Sequence, residues 1–126
     1  MNWGFELIKT DFTYPVCFSI NYHRRMTRAQ ALRLGFDVIR KAAGNKIHLM
    51  SGITQISPLV GIVDSARVGL DTLNPSVSGV PFINGLISNW MLRQNLRNCE
   101  SRQFLNGKIW INDADCLVCK SNSGLS

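Results

Sequence analysis

The segment from Phe12 to Tyr22 constrains the fold more than any other. Phe12, Tyr14, Val16, Phe18, Ile20 and Tyr22 alternate without a break against Thr13, Pro15, Cys17, Ser19 and Asn21. A period of two predicts a strand with all six large side chains on one face, which something apolar must cover. Pro15 has no N–H to give to a ladder, so the strand is expected to have an edge near its start. Trp3, Phe5 and Leu7 repeat the pattern briefly and read as the preceding hairpin arm, joined through Lys9-Thr10-Asp11.

A helix is predicted next. Thr27 and Gln30 stand at capping-box spacing, where each side chain satisfies the other's backbone N–H. Leu32, Gly35, Phe36, Ile39, Ala42 and Ala43 share one side of the wheel, with Ala31 and Val38 beside them. Gln30, Arg33, Asp37, Arg40 and Lys41 lie opposite, and Gly44-Asn45 forms a left-handed stop. Lys46 to Ile56 reads as a second strand. Ser57-Pro58 then opens a second helix to Leu73, with serine as N-cap and proline in the first turn. Its apolar stripe is Leu59, Ile62, Val63, Ala66, Leu70 and Leu73, and Gly61, Ser65 and Gly69 recur every four residues on another side. A third helix is expected from Phe82 to about Asn98, its apolar face formed by Ile83, Leu86, Ile87, Trp90 and Met91. Asn106-Gly107, between two apolar runs, predicts a hairpin over Gln103–Ile111.

The order of elements implies an α+β fold, a single small domain whose mainly antiparallel sheet is packed by about three helices. At 126 residues there is room for one such domain. It is expected over residues 1–119, with 120–126 a polar C-terminal tail. The early Glu6 and the missing basic leader argue against a cleaved secretion signal. No apolar run is long enough to span a bilayer. An intracellular, cytoplasmic location, or one within a virion, is the expectation.

Charge is distributed unevenly. Arg24, Arg25, Arg28, Arg33, Arg40, Lys41 and Lys46 face only Asp37 between His23 and Lys46, while the rest of the chain carries seven basic and seven acidic side chains. The whole net charge of +6 therefore resides in one helix and its flanks. Such a cluster fits a polyanion, because neutralising each phosphate releases counterions. Five of the seven are arginines, whose planar forks grip phosphate at two points. Tyr22 and His23 stand beside Arg24-Arg25 and suit stacking on a base. The competing reading is a solvated cationic face that promotes solubility.

Other chemistry is thin. Cys116 and Cys119 form one Cys-x-x-Cys pair, but Cys17 and Cys99 are isolated, short of the two pairs that mark a zinc site. Asp113 and Asp115 lack the further ligands of a cation loop. His23 and His48 have no nucleophile motif around them, and no phosphate-loop or dinucleotide fingerprint is present. No cofactor or metal is implied. The chain reads as a non-catalytic basic module that contacts nucleic-acid backbone, or another polyanion, through residues 23–46. The alternative is a structural subunit of a larger assembly, a virion or multi-subunit complex, using the 58–98 helices as subunit contacts and the 58–73 helix for self-association. Peripheral membrane attachment through Val80 to Leu92 is a third possibility.

Overall fold

The computed structural model describes residues 4–18, 25–69, 71 and 81–114, with the side chains of residues 17, 81–86 and 88 outside that description. The chain divides into two compact units. The first is Met1–Arg67 with Gln103–Asp113, and the second is Val68–Arg102 with Ala114–Ser126.

The first unit holds one four-stranded sheet, in which β1 (Leu7–Thr10), β2 (His48–Ser51), β3 (Ser65–Arg67) and β4 (Ile111–Asp113) lie side by side in chain order. Every neighbouring pair is parallel: Leu7 faces His48, Met50 faces Ser65 and Ser65 faces Ile111. This corrects the antiparallel expectation. Periodicity reports which face of a strand is buried and carries no information on direction, whereas parallel neighbours require a crossover. Helix α1 (Arg28–Ala43) is that crossover between β1 and β2.

Helix α1 forms where its local signals place it. The Thr27 hydroxyl accepts the Gln30 N–H at 3.2 Å, and the Gln30 side-chain oxygen accepts the Thr27 N–H at 2.8 Å. Gly44 stops the helix with φ +74° while its N–H reaches the Arg40 carbonyl at 2.9 Å. The buried stripe is narrower than the wheel implies. Leu32 and Phe36 are buried, whereas Gly35, Val38 and Ala42 are exposed. Leu32 and Phe36 join Leu49, Leu59, Ile62, Val63, Ala66 and Trp110 in one core, flanked by Val16, Ile39, Ile56 and Leu105. Burial of each large side chain there is worth about 1.5–3 kcal/mol. Trp110 keeps its polar atom satisfied, since its indole N–H donates to Asn112 at 3.0 Å.

Three elements differ from the sequence pattern. The described part of the Phe12–Tyr22 segment is a 3-10 turn at Tyr14–Cys17; residues 19–22 lie outside the described residues. Phe12 takes a left-handed φ of +52°, which no strand accommodates, and Pro15 sits at the start of the turn, where its missing N–H is harmless. Among the described residues of this segment only Val16 packs on the core; Phe12, Tyr14 and Phe18 are exposed. The arm before it is β1, which pairs with β2 and not with its successor.

The helix expected over 58–73 is also absent among the described residues. A 3-10 turn at Ser57–Leu59 gives way to Gly61 at φ +78°, and Ser65–Arg67 is the buried strand β3. Ile62, Val63 and Ala66 reach the same core from a turn and a strand. The small-residue row therefore never shares a helix face, and self-association through helix 58–73 loses its basis. Gln103–Ile111 is no hairpin either. A 3-10 turn at Gln103–Leu105 leads into a tight loop with Gly107 at φ +71°, whose N–H donates to the Trp110 carbonyl at 2.8 Å, and β4 follows.

The second unit contains α2 (Pro81–Ser101), which covers the expected third helix. Two helices, rather than about three, are present among the described residues. Ile87 and Trp90 of the expected apolar face are exposed, and fully buried Asn95 marks the side that packs inward. A Cβ on Gly69 would lie 2.8 Å from the Asn95 side-chain carbon, so glycine permits that approach. Among the described residues, no helix is long and apolar enough to cross a membrane.

The loops after β1 and β2 are tied together by Asp11. Its Oδ1 accepts the Phe12 and Ile53 N–H groups, both at 3.0 Å. A Cβ at Gly52 would overlap that carboxylate and come within 2.9 Å of the Thr10 carbonyl oxygen. Gly52→Ala is therefore expected to lower the unfolding free energy by about 1–3 kcal/mol, measured by urea denaturation.

Candidate functional site

The basic segment separates into two populations once folded. Arg33 and Arg40 turn back onto the protein. Arg33 Nη1 donates to the carbonyls of Pro58 at 2.7 Å and Val60 at 3.2 Å, which straps α1 to the 3-10 turn before β3. Arg40 Nε donates to Ile62 at 2.8 Å, its Nη1 donates to Ile47 at 2.8 Å and Gly44 at 3.2 Å, and its Nη2 pairs with the Asp64 carboxylate. Asp64 Oδ2 also accepts the Leu49 N–H at 2.7 Å. Burial works to raise the pKa of Asp64, but the Leu49 hydrogen bond and the Arg40 guanidinium outweigh it and hold the carboxyl below its ordinary value of 3.8.

The remaining cations point outward. Arg25 and Arg28 are exposed at the start of α1, Lys41 is exposed at its end and Lys46 just beyond. None of the four forms an ion pair with a described carboxylate. Arg24, with Tyr22 and His23, lies outside the described residues. Helix α1 returns antiparallel to the strands, so its two ends sit at opposite edges of the sheet. Arg25 and Arg28 stand at the carboxyl edge, and Lys41 and Lys46 at the amino edge. The thirteen residue steps from Arg28 to Lys41 amount to about 20 Å of helix. That separation matches about six steps along one strand of a duplex.

The amino edge carries a cleft of about 480 Å³, lined by Arg40, Asn45, Gly61, Asp64, Lys108 and Trp110 among others. Lys108 adds an exposed cation to the lining, and exposed Lys46 follows the lining residue Asn45 in the chain. Within the cleft the Arg40–Asp64 pair cancels its own charge, so Lys108 sets the sign of the lining. Glu6, exposed just ahead of β1, is the opposing carboxylate at this edge. The linear charge pattern does not point to Lys108, which is 62 positions from Lys46 and falls inside the predicted hairpin. The tight turn at Gly107 was its one local signal.

Other groups hold the fold together. His48 Nε2 lies 2.8 Å from Ser65 Oγ, linking β2 to β3, and Ser65 is only 5% exposed, too enclosed for a substrate to reach. Cys99 is half-buried on α2, whereas Cys116, Cys119 and Asp115 lie outside the described residues. Among the described residues, no three His, Cys, Asp or Glu side chains come together as a metal site. A comparison with protein-family models finds none that matches the chain.

The Arg40 node makes its own prediction. Arg40→Met removes four donor contacts and leaves Asp64 without its counter-charge, with an expected loss of about 3 kcal/mol in urea unfolding. Because the folded carboxyl titrates below its ordinary value, its contribution is complete above the unfolded pKa and disappears as pH falls through the folded one. Asp64→Asn should therefore lower stability near neutral pH and flatten the acid side of a stability–pH curve.

Proposed function

We propose that this protein is a non-catalytic module that holds the phosphate backbone of a nucleic acid. Arg25 and Arg28 would contact it at one end of α1, and Lys41, Lys46 and Lys108 at the other, around the cleft. The observation that supports this reading most is the division of labour among the cations. Arg33 and Arg40 are engaged by carbonyls and a carboxylate of the protein, while Arg25, Arg28, Lys41, Lys46 and Lys108 are exposed and form no ion pair among the described residues. A side chain held only by water retains its full charge for a ligand, and long-range attraction then speeds the encounter. The cytoplasm or a virion interior would supply such a ligand.

The test is a salt titration of binding to a labelled oligonucleotide. Replacing Lys41, Lys46 and Lys108 together by glutamine should weaken binding at low salt and reduce the slope of log K against log salt by about 2–3. Arg25→Gln with Arg28→Gln should reduce it by a further 1–2 or so. Undetectable binding at low salt, or a slope unchanged in both variants, overturns the reading.

A second reading, a structural subunit of a larger assembly, draws support from the sheet's edges. Phe5, Leu7 and Ile8 are exposed on and beside β1, and Ile111 on β4. Here the contacts would be strand edges and the exposed side of α2, in place of the helix pair expected from the sequence. A concentration-independent monomer in sedimentation equilibrium removes self-assembly from this reading.

A further inference from the structure

The loop between β1 and α1 presents aromatic rings to solvent. Phe12 is 62% exposed, Tyr14 38% and Phe18 75%. The rings touch in series, Phe12 to Tyr14 at 6.2 Å between centroids and Tyr14 to Phe18 at 6.2 Å, edge to face. Single exposed apolar side chains are ordinary, but a connected group of this kind marks a contact surface. Val16, from the same 3-10 turn, packs on the core and anchors the rings from below. Phe12 occupies the left-handed region at φ +52°, a conformation unfavourable for any residue but glycine. The two N–H bonds accepted by Asp11 hold this part of the loop against the loop after β2. Strain of this sort, fixed by surrounding bonds, is found where a side chain must be presented in one direction.

The charge around the rings identifies the occupant. This loop leaves the carboxyl edge of the sheet, where α1 begins, so Phe12, Tyr14 and Phe18 share that edge with exposed Arg25 and Arg28. The first turn of α1 holds no acidic residue. Lys9 is exposed on β1, and Asp11, the carboxylate at the root of the loop, has one oxygen engaged by backbone N–H groups. Ring faces and guanidinium groups at one edge suit a ligand that is planar and negatively charged at regular intervals. A base-paired duplex keeps its base faces stacked and inaccessible, while a single strand exposes them.

We propose that Phe12, Tyr14 and Phe18, with Arg25 and Arg28 at the same edge of the sheet, form a stacking platform for the unpaired bases of a single-stranded nucleic acid. The proposal rests on the phosphate-backbone reading above and narrows its ligand from any polyanion to an unpaired strand.

The experiment uses the full chain and three labelled probes in fluorescence anisotropy at low salt: a twelve-nucleotide oligothymidylate, an abasic strand of the same length and charge, and a duplex of twelve base pairs. The oligothymidylate should bind about tenfold or more tightly than the abasic strand. Phe12→Leu with Phe18→Leu should abolish that ratio while leaving abasic binding unchanged. Phe12→Gly separates presentation from folding, because glycine adopts the left-handed region freely. It should weaken oligothymidylate binding several-fold with no fall in Tm, whereas a purely structural role would lower Tm and leave the ratio intact. Equal affinity for thymidylate and abasic strands in the wild type, with both still weakened by the lysine substitutions, overturns the platform and spares the phosphate reading. Failure of all three probes to bind overturns both. A phenylalanine double variant that alters self-association while preserving the probe ratio makes the rings a protein contact and overturns the platform.

Discussion

Arg40 and Asp64 hold the amino edge of the sheet in register. One guanidinium reaches the carbonyls of Gly44, Ile47 and Ile62 and the Asp64 carboxylate. The backbone of Asp64 extends the ladder in both directions, since its N–H donates to Leu49 at 2.9 Å and its carbonyl accepts from Ile111 at 2.9 Å. The end of α1, the entry to β2, the entry to β3 and the entry to β4 thus meet at one ion pair. A planar side chain with five donors can satisfy that many acceptors at once, and an ammonium cannot. The strands it aligns are short, four residues at most, so few ladder bonds exist to fix their pairing otherwise.

What could be read from the chain depended on how local the governing interaction was. Helix α1 was legible because its start is set by Thr27 and Gln30, three positions apart, and its end by Gly44. Strand direction was not legible, because it depends on where β2 and β4 lie relative to strands far away in the chain. The alternation from Phe12 to Phe18 was misleading for another reason: it implied a buried face, yet the residues that alternate include three that stay in water. Likewise Ile62, Val63 and Ala66 fit a helical stripe, but Gly61 at φ +78° turns the chain before a helix can propagate. The same spacing serves a turn followed by a strand when each residue meets the core separately.

The candidate site was legible as a charged region and not as a set of contacts. Seven cations in one segment look equivalent in sequence. Folding assigns Arg33 and Arg40 to the architecture, because carbonyls of the Pro58–Ile62 stretch lie within their reach. Lys108 joins the others from a distant part of the chain by lining the cleft with Asn45. The net charge of the segment is thereby redistributed to two ends of a single rod, with an aromatic loop at one end and a cleft at the other.

The position of β1 at the rim of a parallel sheet has one more consequence. An outermost strand leaves every second backbone group open to pairing, and a second copy of the protein offers the same edge. Lys9 stands inside this four-residue strand and is exposed. Joining two such edges would crowd two ammonium groups together, with few ladder bonds to compensate. An ammonium in so short a strand therefore works against the pairing of two like edges in register.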